Sequence, residues 1–564
     1  MEQRYLMMSL ADLTPRIDYT QPLAFDTETI GFYGKIRLAQ FYQRGWDLPI
    51  MVEYPNPYEL VAILTKAIVV CHNVAYDIST IQENMGRMAW MPDEFHCTFL
   101  LSRLHYYLKD GFAFDDVVRY TLGINPYEHN DQQKSDWSVP VLSEEQLVYA
   151  ADDVRYLIDV WDAVKVCCDE YSYKLDILMT RYCLDFQNNG MPVDIEKLNE
   201  QYASNMKEIK EADLKINCNS YQQVRAYINS NLSDDIGLAR LSYQGNEQAK
   251  QVRKVRKLTK NNSFLTKFTE TMIDGVIYGK FLVGARSGRT TSKDQNLQQL
   301  PRSLKAIFGV AADGDEVIVF SDFAQIQLRG VCVVTGDTAM ETLFRAGADL
   351  HNYVAEMTFG KEFTKDHRQI AKTENFGLLF GAGVVVFGSI LVKDAGMWLS
   401  ELELGKIIKQ WKNLWKHVKA WQDKGIKDWK KGIAWSTPLG RKYTATMMTD
   451  QLAMQIQGFE AEVAKLALHY MWPKIAELNK EIPDDKPKIK LRNFVHDCYL
   501  FTCWKSEEVY KKLAVIIADC MQEAWKEMCA GVAITDLPMP VKVRVGHNWG
   551  DIDKKDIFIY EHKQ

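Results

Sequence analysis

The chain has 564 residues, 47% of them hydrophobic and 25% charged, with a formal net charge of −6 and eleven scattered cysteines. That length exceeds one hydrophobic core and predicts roughly three to four folding units. The absence of a run of about 18 apolar residues excludes a spanning helix, and the N-terminus lacks the basic and apolar regions of a signal peptide. With no C-x-x-C pair, the cysteines argue against a zinc ribbon or a disulfide framework and for a reducing, cytoplasmic setting. An acidic balance still allows a nucleic-acid partner, because metal sites need carboxylates while a DNA track is only locally basic.

Residues 1 to about 165 alternate short apolar runs (Pro22–Phe25, Ala67–Val70) with helical stretches, which predicts an α/β domain. The run Leu23-Ala24-Phe25-Asp26-Thr27-Glu28 reads as a buried strand, and a two-residue spacing turns Asp26 and Glu28 to one face. His72-Asn73-Val74-Ala75-Tyr76-Asp77 follows the second apolar run, and Tyr149 and Asp153 stand i,i+4 on a helix. Asp152 reads as the solvent-facing acid of the Asp152–Asp153 pair. Four converging carboxylates repel one another unless cations neutralise them, and hard oxygen ligands select Mg²⁺, with Mn²⁺ as the alternative. Two such ions about 4 Å apart activate a water and stabilise the leaving oxygen of a phosphodiester. In order and context these segments resemble the DEDD exonuclease superfamily, tyrosine subclass. The resemblance implies a ribonuclease H-like fold over about residues 20–165, Asp26, Glu28, Asp77 and Asp153 as metal ligands, and Tyr149 as the residue orienting the attacking water.

From about 165 to 275 the pattern is mostly helical. Lys250, Arg253, Lys254, Arg256, Lys257 and Lys260 fall within eleven residues without an acid, read either as a solvated helix face or as a phosphate track. From about 276 onward, strand-like runs (Val317–Phe320, Phe494–Val495, Tyr499–Phe501) are separated by long helical segments. In one of these, Trp411 and Trp415 stand i,i+4, which favours core packing over base stacking.

Val317-Ile318-Val319-Phe320-Ser321-Asp322 is an apolar strand ending in an acid, and His496-Asp497 sits between two apolar runs, as at a hairpin tip. Carboxylates from two strands can hold two Mg²⁺ ions that activate a primer 3′-OH and stabilise the α-phosphate and pyrophosphate. Between them Arg368, Lys372, Phe376 and Phe380 recur every four residues, within a stripe roughly 120° wide on a helix. The stripe offers two cations for a triphosphate, then two rings for sugar and base.

These segments, in this order, resemble family A DNA polymerases over about residues 175–564, from Gly190-Met191-Pro192-Val193-Asp194 to Val545-Gly546-His547-Asn548-Trp549. The resemblance implies a right-hand polymerase domain at 171–564 behind an exonuclease domain at 1–170. The thumb would be at about 195–275, the palm at about 276–340 and 436–564, and the fingers at about 341–435. Asp322 and Asp497 would hold the metals. Arg368 and Lys372 would bind the triphosphate, with Lys372 protonating pyrophosphate. Phe376 would pack on the sugar, Phe380 near the template base and His496 near the primer terminus. Arg289, Asn296, Gln298 and Gln457 would contact the duplex. Partners would be primer–template DNA, dNTPs, a single-stranded 3′ end in the exonuclease site, and replisome proteins.

Phe323, Ala324 and Gln327 depart from the Tyr, Ser and Glu usual in the first polymerase motif, Phe380 from Tyr, Cys498 from Glu and Ala453 from Asn. Gln327 in place of a sugar-gating Glu, with Phe380 in place of its tyrosine partner, reads as a compensating pair. The chain length and two activities suggest a bacteriophage replicative enzyme. The rivals are a nuclease similar to ribonuclease D with a nucleic-acid-binding C-terminal half, a single-subunit RNA polymerase, and a non-catalytic DNA-binding factor. The Arg368–Phe380 stripe argues against the first, the exonuclease set and Phe380 against the second. The third has no need of Asp322, Asp497 and Lys372 together.

Overall fold

The computed structural model describes residues 3–104, 111–126, 130–166, 169–443, 445–552 and 559–561. They pack as two units. One comprises 1–190, 278–296 and 439–444, the other 191–277, 297–438 and 445–564. Tyr278–Asn296 and Leu439–Thr444, expected in the palm, therefore pack with the first unit.

The first unit is built on a six-stranded mixed sheet in the order Leu6–Met7, Ile50–Glu53, Lys35–Tyr42, Pro22–Ile30, Ile68–Cys71, Glu94–Cys97. Pro22–Ile30 runs antiparallel to Lys35–Tyr42 and parallel to Ile68–Cys71, so it is central and buried. That burial explains why its sequence is apolar before Asp26. Helices Val74–Asn84 and Glu144–Arg155 flank it. The second is started by a capping box, in which Ser143 accepts from the Gln146 N–H and the Gln146 side chain accepts in return. Two later segments complete this unit. Strands Lys280–Leu282 and Thr291–Lys293 pair antiparallel, and Arg441 makes a two-pronged salt bridge to Asp176 at 2.9 and 2.7 Å, with both side chains almost fully buried.

The second unit contains an antiparallel five-stranded sheet in the order Lys490–Val495, Cys498–Trp504, Glu316–Phe323, Val541–Gly546, Ile559–Glu561. A 34-residue helix, Met448–Glu481, carries a long buried face, and Glu507–Cys529 packs beside it. Four helices span 195–271, ending in the 25-residue Glu247–Thr271. In the basic run on that last helix, Lys250 pairs with Glu247 at 2.5 Å, Lys254 with Glu208 at 2.7 Å and Arg256 with Asp235 at 3.0 Å. Half of the run is thus neutralised within the unit, two of the three cations by acids on other helices. Trp411 and Trp415 are both buried, as their spacing predicted, and the Trp411 indole donates to Asn375 at 2.9 Å.

Candidate active sites

In the first unit, strand alternation aims Asp26 and Glu28 at the helix that carries Tyr149 and Asp153. Oxygen atoms of Asp26, Glu28 and Asp153 all lie within 4.8 Å of one another. Asp77 comes from the first turn of Val74–Asn84, where Asn73 adopts φ 69°, and it accepts a 2.9 Å hydrogen bond from the Thr27 hydroxyl. All five predicted residues line one open cavity of about 690 Å³, together with Phe32, Asn73, Tyr76 and Arg103. Burial, and then repulsion from the neighbouring carboxylates, pushes Asp26 and Glu28 well above the usual carboxylate range. Burial raises Asp77 to about 7, partly offset by the Thr27 bond. The Tyr149 hydroxyl is held firmly protonated by burial and by the charges of Asp153, Glu28 and Asp26, and it hydrogen-bonds Asp153.

One reading is corrected. Asp152 is not the solvent-facing acid of its pair. It is 5% exposed, raised to about 6 by burial, and lies 3.4 Å from Arg155. Successive helical residues point about 100° apart, and Asp153 is the one that faces the cavity.

In the second unit, antiparallel register sets Asp322 opposite Cys498, so Asp322 adjoins Asp497 at the tip of the neighbouring hairpin. His496 takes φ 58° in that turn. Burial pushes Asp497 up to about 8, with Glu460 and then Asp322 adding repulsion. Glu460 was not foreseen. It sits 2% exposed on the Met448–Glu481 helix and accepts a 3.1 Å hydrogen bond from the Gln327 amide. The polar partner of Gln327 is thus Glu460 rather than anything at position 380.

The stripe forms on helix Lys365–Leu379, capped by Thr364. Arg368 donates to Asp349 at 2.7 Å and to Asn352 at 2.6 Å. Burial and the nearby Arg302 and Arg368 lower the pKa of Lys372. Phe376 is 36% exposed beside His351. Phe380 is the C-cap rather than a helical residue, because Gly381 at φ 81° ends the helix.

A family model described as DNA polymerase family A matches residues 193–551, more than half of the chain, and a 3′-5′ exonuclease model matches residues 7–166. The chain belongs to DNA polymerase family A. It is a DNA polymerase with a 3′–5′ exonuclease domain in front of its polymerase domain, and it performs template-directed DNA synthesis with proofreading. DNA polymerase I of Aquifex aeolicus is 29% identical over 95% of this chain and 96% of its own. Thermostable DNA polymerase I of Thermus aquaticus is 25% identical over 50% of this chain and 35% of its own. In fold it is similar to the POL domain of Pol1 from M. smegmatis, solved in complex with DNA primer-template and dNTP. The TM-score is 0.75 at 18% identity, covering 97% of this chain and all of that one.

Against this family frame the remaining positions divide. Gln457 is half-exposed on the helix that carries Glu460. Gln298 is buried and its amide donates to the Phe494 carbonyl at 2.7 Å, so that group braces the hairpin of Asp497. Phe323 is 3% exposed and packs near Tyr499, a core position directly after Asp322. Arg289 and Asn296 pack with the exonuclease unit. Sequence reading missed Glu460, Thr27 and Asp349. Only Glu460 carried a signal, three residues after Gln457 and so on the same face of its helix.

Proposed function

We propose that the two activities run on separate two-ion carboxylate centres, Asp26, Glu28, Asp77 and Asp153 for excision and Asp322 with Asp497 for synthesis. The observation that carries this is the convergence of Asp26, Glu28, Asp77, Tyr149 and Asp153 from three separate segments on the cavity of the first unit. The carboxylates there fit divalent cations. Oxygens of Asp26, Glu28 and Asp153 are close enough to share an ion, and burial with mutual repulsion opposes the carboxylates being charged together, a penalty that bound cations remove. Mg²⁺, or Mn²⁺ in its place, would supply an activated oxygen nucleophile and stabilise the leaving oxygen at each centre. Tyr149, protonated and held by Asp153, would orient the attacking water, which makes the exonuclease the tyrosine subclass of the DEDD group.

At the polymerase centre, Arg368 and Lys372 would bind the triphosphate of a dNTP. A lowered pKa suits Lys372 to give its proton to departing pyrophosphate. Phe376 would stack on the sugar, Phe380 near the template base, and Gln327 would reject a ribose 2′-OH by its bulk. His496 and Gln457 would lie along the primer–template, and Arg289 and Asn296 would touch its backbone. Primer–template DNA and dNTPs are taken as ligands because the structural relative binds them. A cytoplasmic setting is supported by the free cysteines among the described residues. The bacteriophage assignment finds no support among these relatives, which are bacterial.

Primer extension with and without dNTPs tests the division. Asp26→Ala with Glu28→Ala should abolish degradation and leave extension largely intact. Asp322→Ala or Asp497→Ala should stop extension and spare degradation. Robust extension by either polymerase variant, or wild-type degradation by the double variant, overturns the corresponding centre.

A further inference from the structure

The Gln327–Glu460 hydrogen bond joins side chains 133 residues apart, on two helices that pack together. Gln327 stands in the first turn of Ile326–Thr335, and Gly330 one turn later on the same face. A Cβ at Gly330 would sit 3.2 Å from a Phe459 ring carbon and 3.6 Å from an Ile456 methyl. Lacking one, the helix approaches Met448–Glu481 closely enough for a side chain at 327 to reach Glu460, which follows Phe459 directly. Glu460 is buried, and a buried carboxylate is costly unless a donor meets it. Gln327 supplies one such donor. A glutamate at 327, usual in the family, would set a second carboxylate about 3 Å from the first, where like charges in a poorly hydrated site repel strongly.

We propose that Glu460 is the positioning residue of the sugar gate. Its carboxylate fixes the rotamer of Gln327, so the negative charge that the family usually carries at position 327 is carried here on the neighbouring long helix. This rests on the reading of Gln327 as the group that rejects ribonucleotides. A Gln side chain has three rotatable bonds, and an unheld one would swing aside for a 2′-OH. Anchoring its Nε2 removes that freedom and turns bulk into discrimination.

Single-nucleotide incorporation of dNTP and rNTP by the full chain, with excision silenced by Asp26→Ala and Glu28→Ala, gives the dNTP-over-rNTP ratio of kcat/KM. Gln327→Ala and Glu460→Ala should each lower that ratio at least tenfold, and Glu460→Gln, which keeps an acceptor oxygen, should keep the ratio within about threefold of wild type. Gln327→Glu should lower dNTP kcat/KM at least tenfold, and adding Glu460→Gln should restore it to within about threefold. This exchange reads out the pair even where Glu460→Ala folds poorly. An unchanged ratio in Gln327→Ala overturns the gate reading itself. A relaxed ratio in Gln327→Ala, with no change in Glu460→Ala and no rescue in the exchange, overturns the role of Glu460 alone.

Discussion

Asp349 meets Arg368 through one carboxylate oxygen and caps a helix through the other. Its Oδ2 accepts from the Arg368 guanidinium at 2.7 Å, while its Oδ1 accepts from the His351 and Asn352 N–H groups at 2.8 and 3.1 Å. One side chain thus starts helix Leu350–Phe359 and aims a cation proposed to bind triphosphate. Asp349→Ala should cost about 1–2 kcal/mol through the lost cap and raise the KM for dNTP several-fold through the unaimed arginine. Asp349→Asn, which keeps the capping oxygen, should retain most of the stability and share the rise in KM. Thermal unfolding and single-nucleotide kinetics separate the two effects, and equal stability of the Ala and Asn variants would remove the capping role.

The buried carboxyls of the first unit's cavity should make the metal-free protein sensitive to pH. A carboxyl whose folded pKa is raised favours folding below its unfolded value and loses that contribution as pH rises through the folded value. For Asp77 the window runs from about 4 up to about 7. In chelator, Asp77→Asn should therefore gain Tm relative to wild type at pH 8, by a few degrees, and the gain should shrink toward pH 5. Divalent cation should reduce the pH 8 difference. Calorimetry in the two buffers checks it; a gain that grows toward low pH reverses the sign and refutes the account.

Phe376 presents a phenyl ring, 36% exposed, with no hydroxyl of its own. Under the proposed role, the incoming 3′-OH is then a needed polar contact and dideoxynucleotides are poor substrates. Phe376→Tyr should raise dideoxynucleotide incorporation more than tenfold, about 1.4 kcal/mol or more of transition-state binding. Equal discrimination by the two enzymes in single-nucleotide kinetics would place Phe376 away from the sugar.

Arg441 and Asp176 are 265 residues apart in sequence and pair inside the first unit. Removing one member takes the main counter-ion from a buried charge, which costs up to about 3–5 kcal/mol. Arg441→Ala should destabilise the exonuclease unit by that order, and Arg441→Met with Asp176→Leu should recover much of it. Denaturant titration reports both; a loss under 1 kcal/mol for the single variant would show that water reaches the pair.

Local order was legible in the residues. Two-residue spacing put Asp26 and Glu28 on one face of a strand, and four-residue spacing put Arg368, Lys372 and Phe376 on one face of a helix, because backbone geometry sets those periods whatever surrounds them. The order of the motifs carried both activities in the same way. Phe380 falls just past the helix as its C-cap, where Gly381 takes a positive φ.

What depended on neighbours distant in sequence came from the tertiary structure alone. Acids on other helices neutralised part of the basic run, burial took Asp152 out of solvent, and two late segments joined the exonuclease unit. Close helix packing at Gly330 brought Glu460 to Gln327. Periodicity fixes a side chain's direction about its own axis, but its charge environment depends on which other element packs there, and that is settled only when the whole core closes.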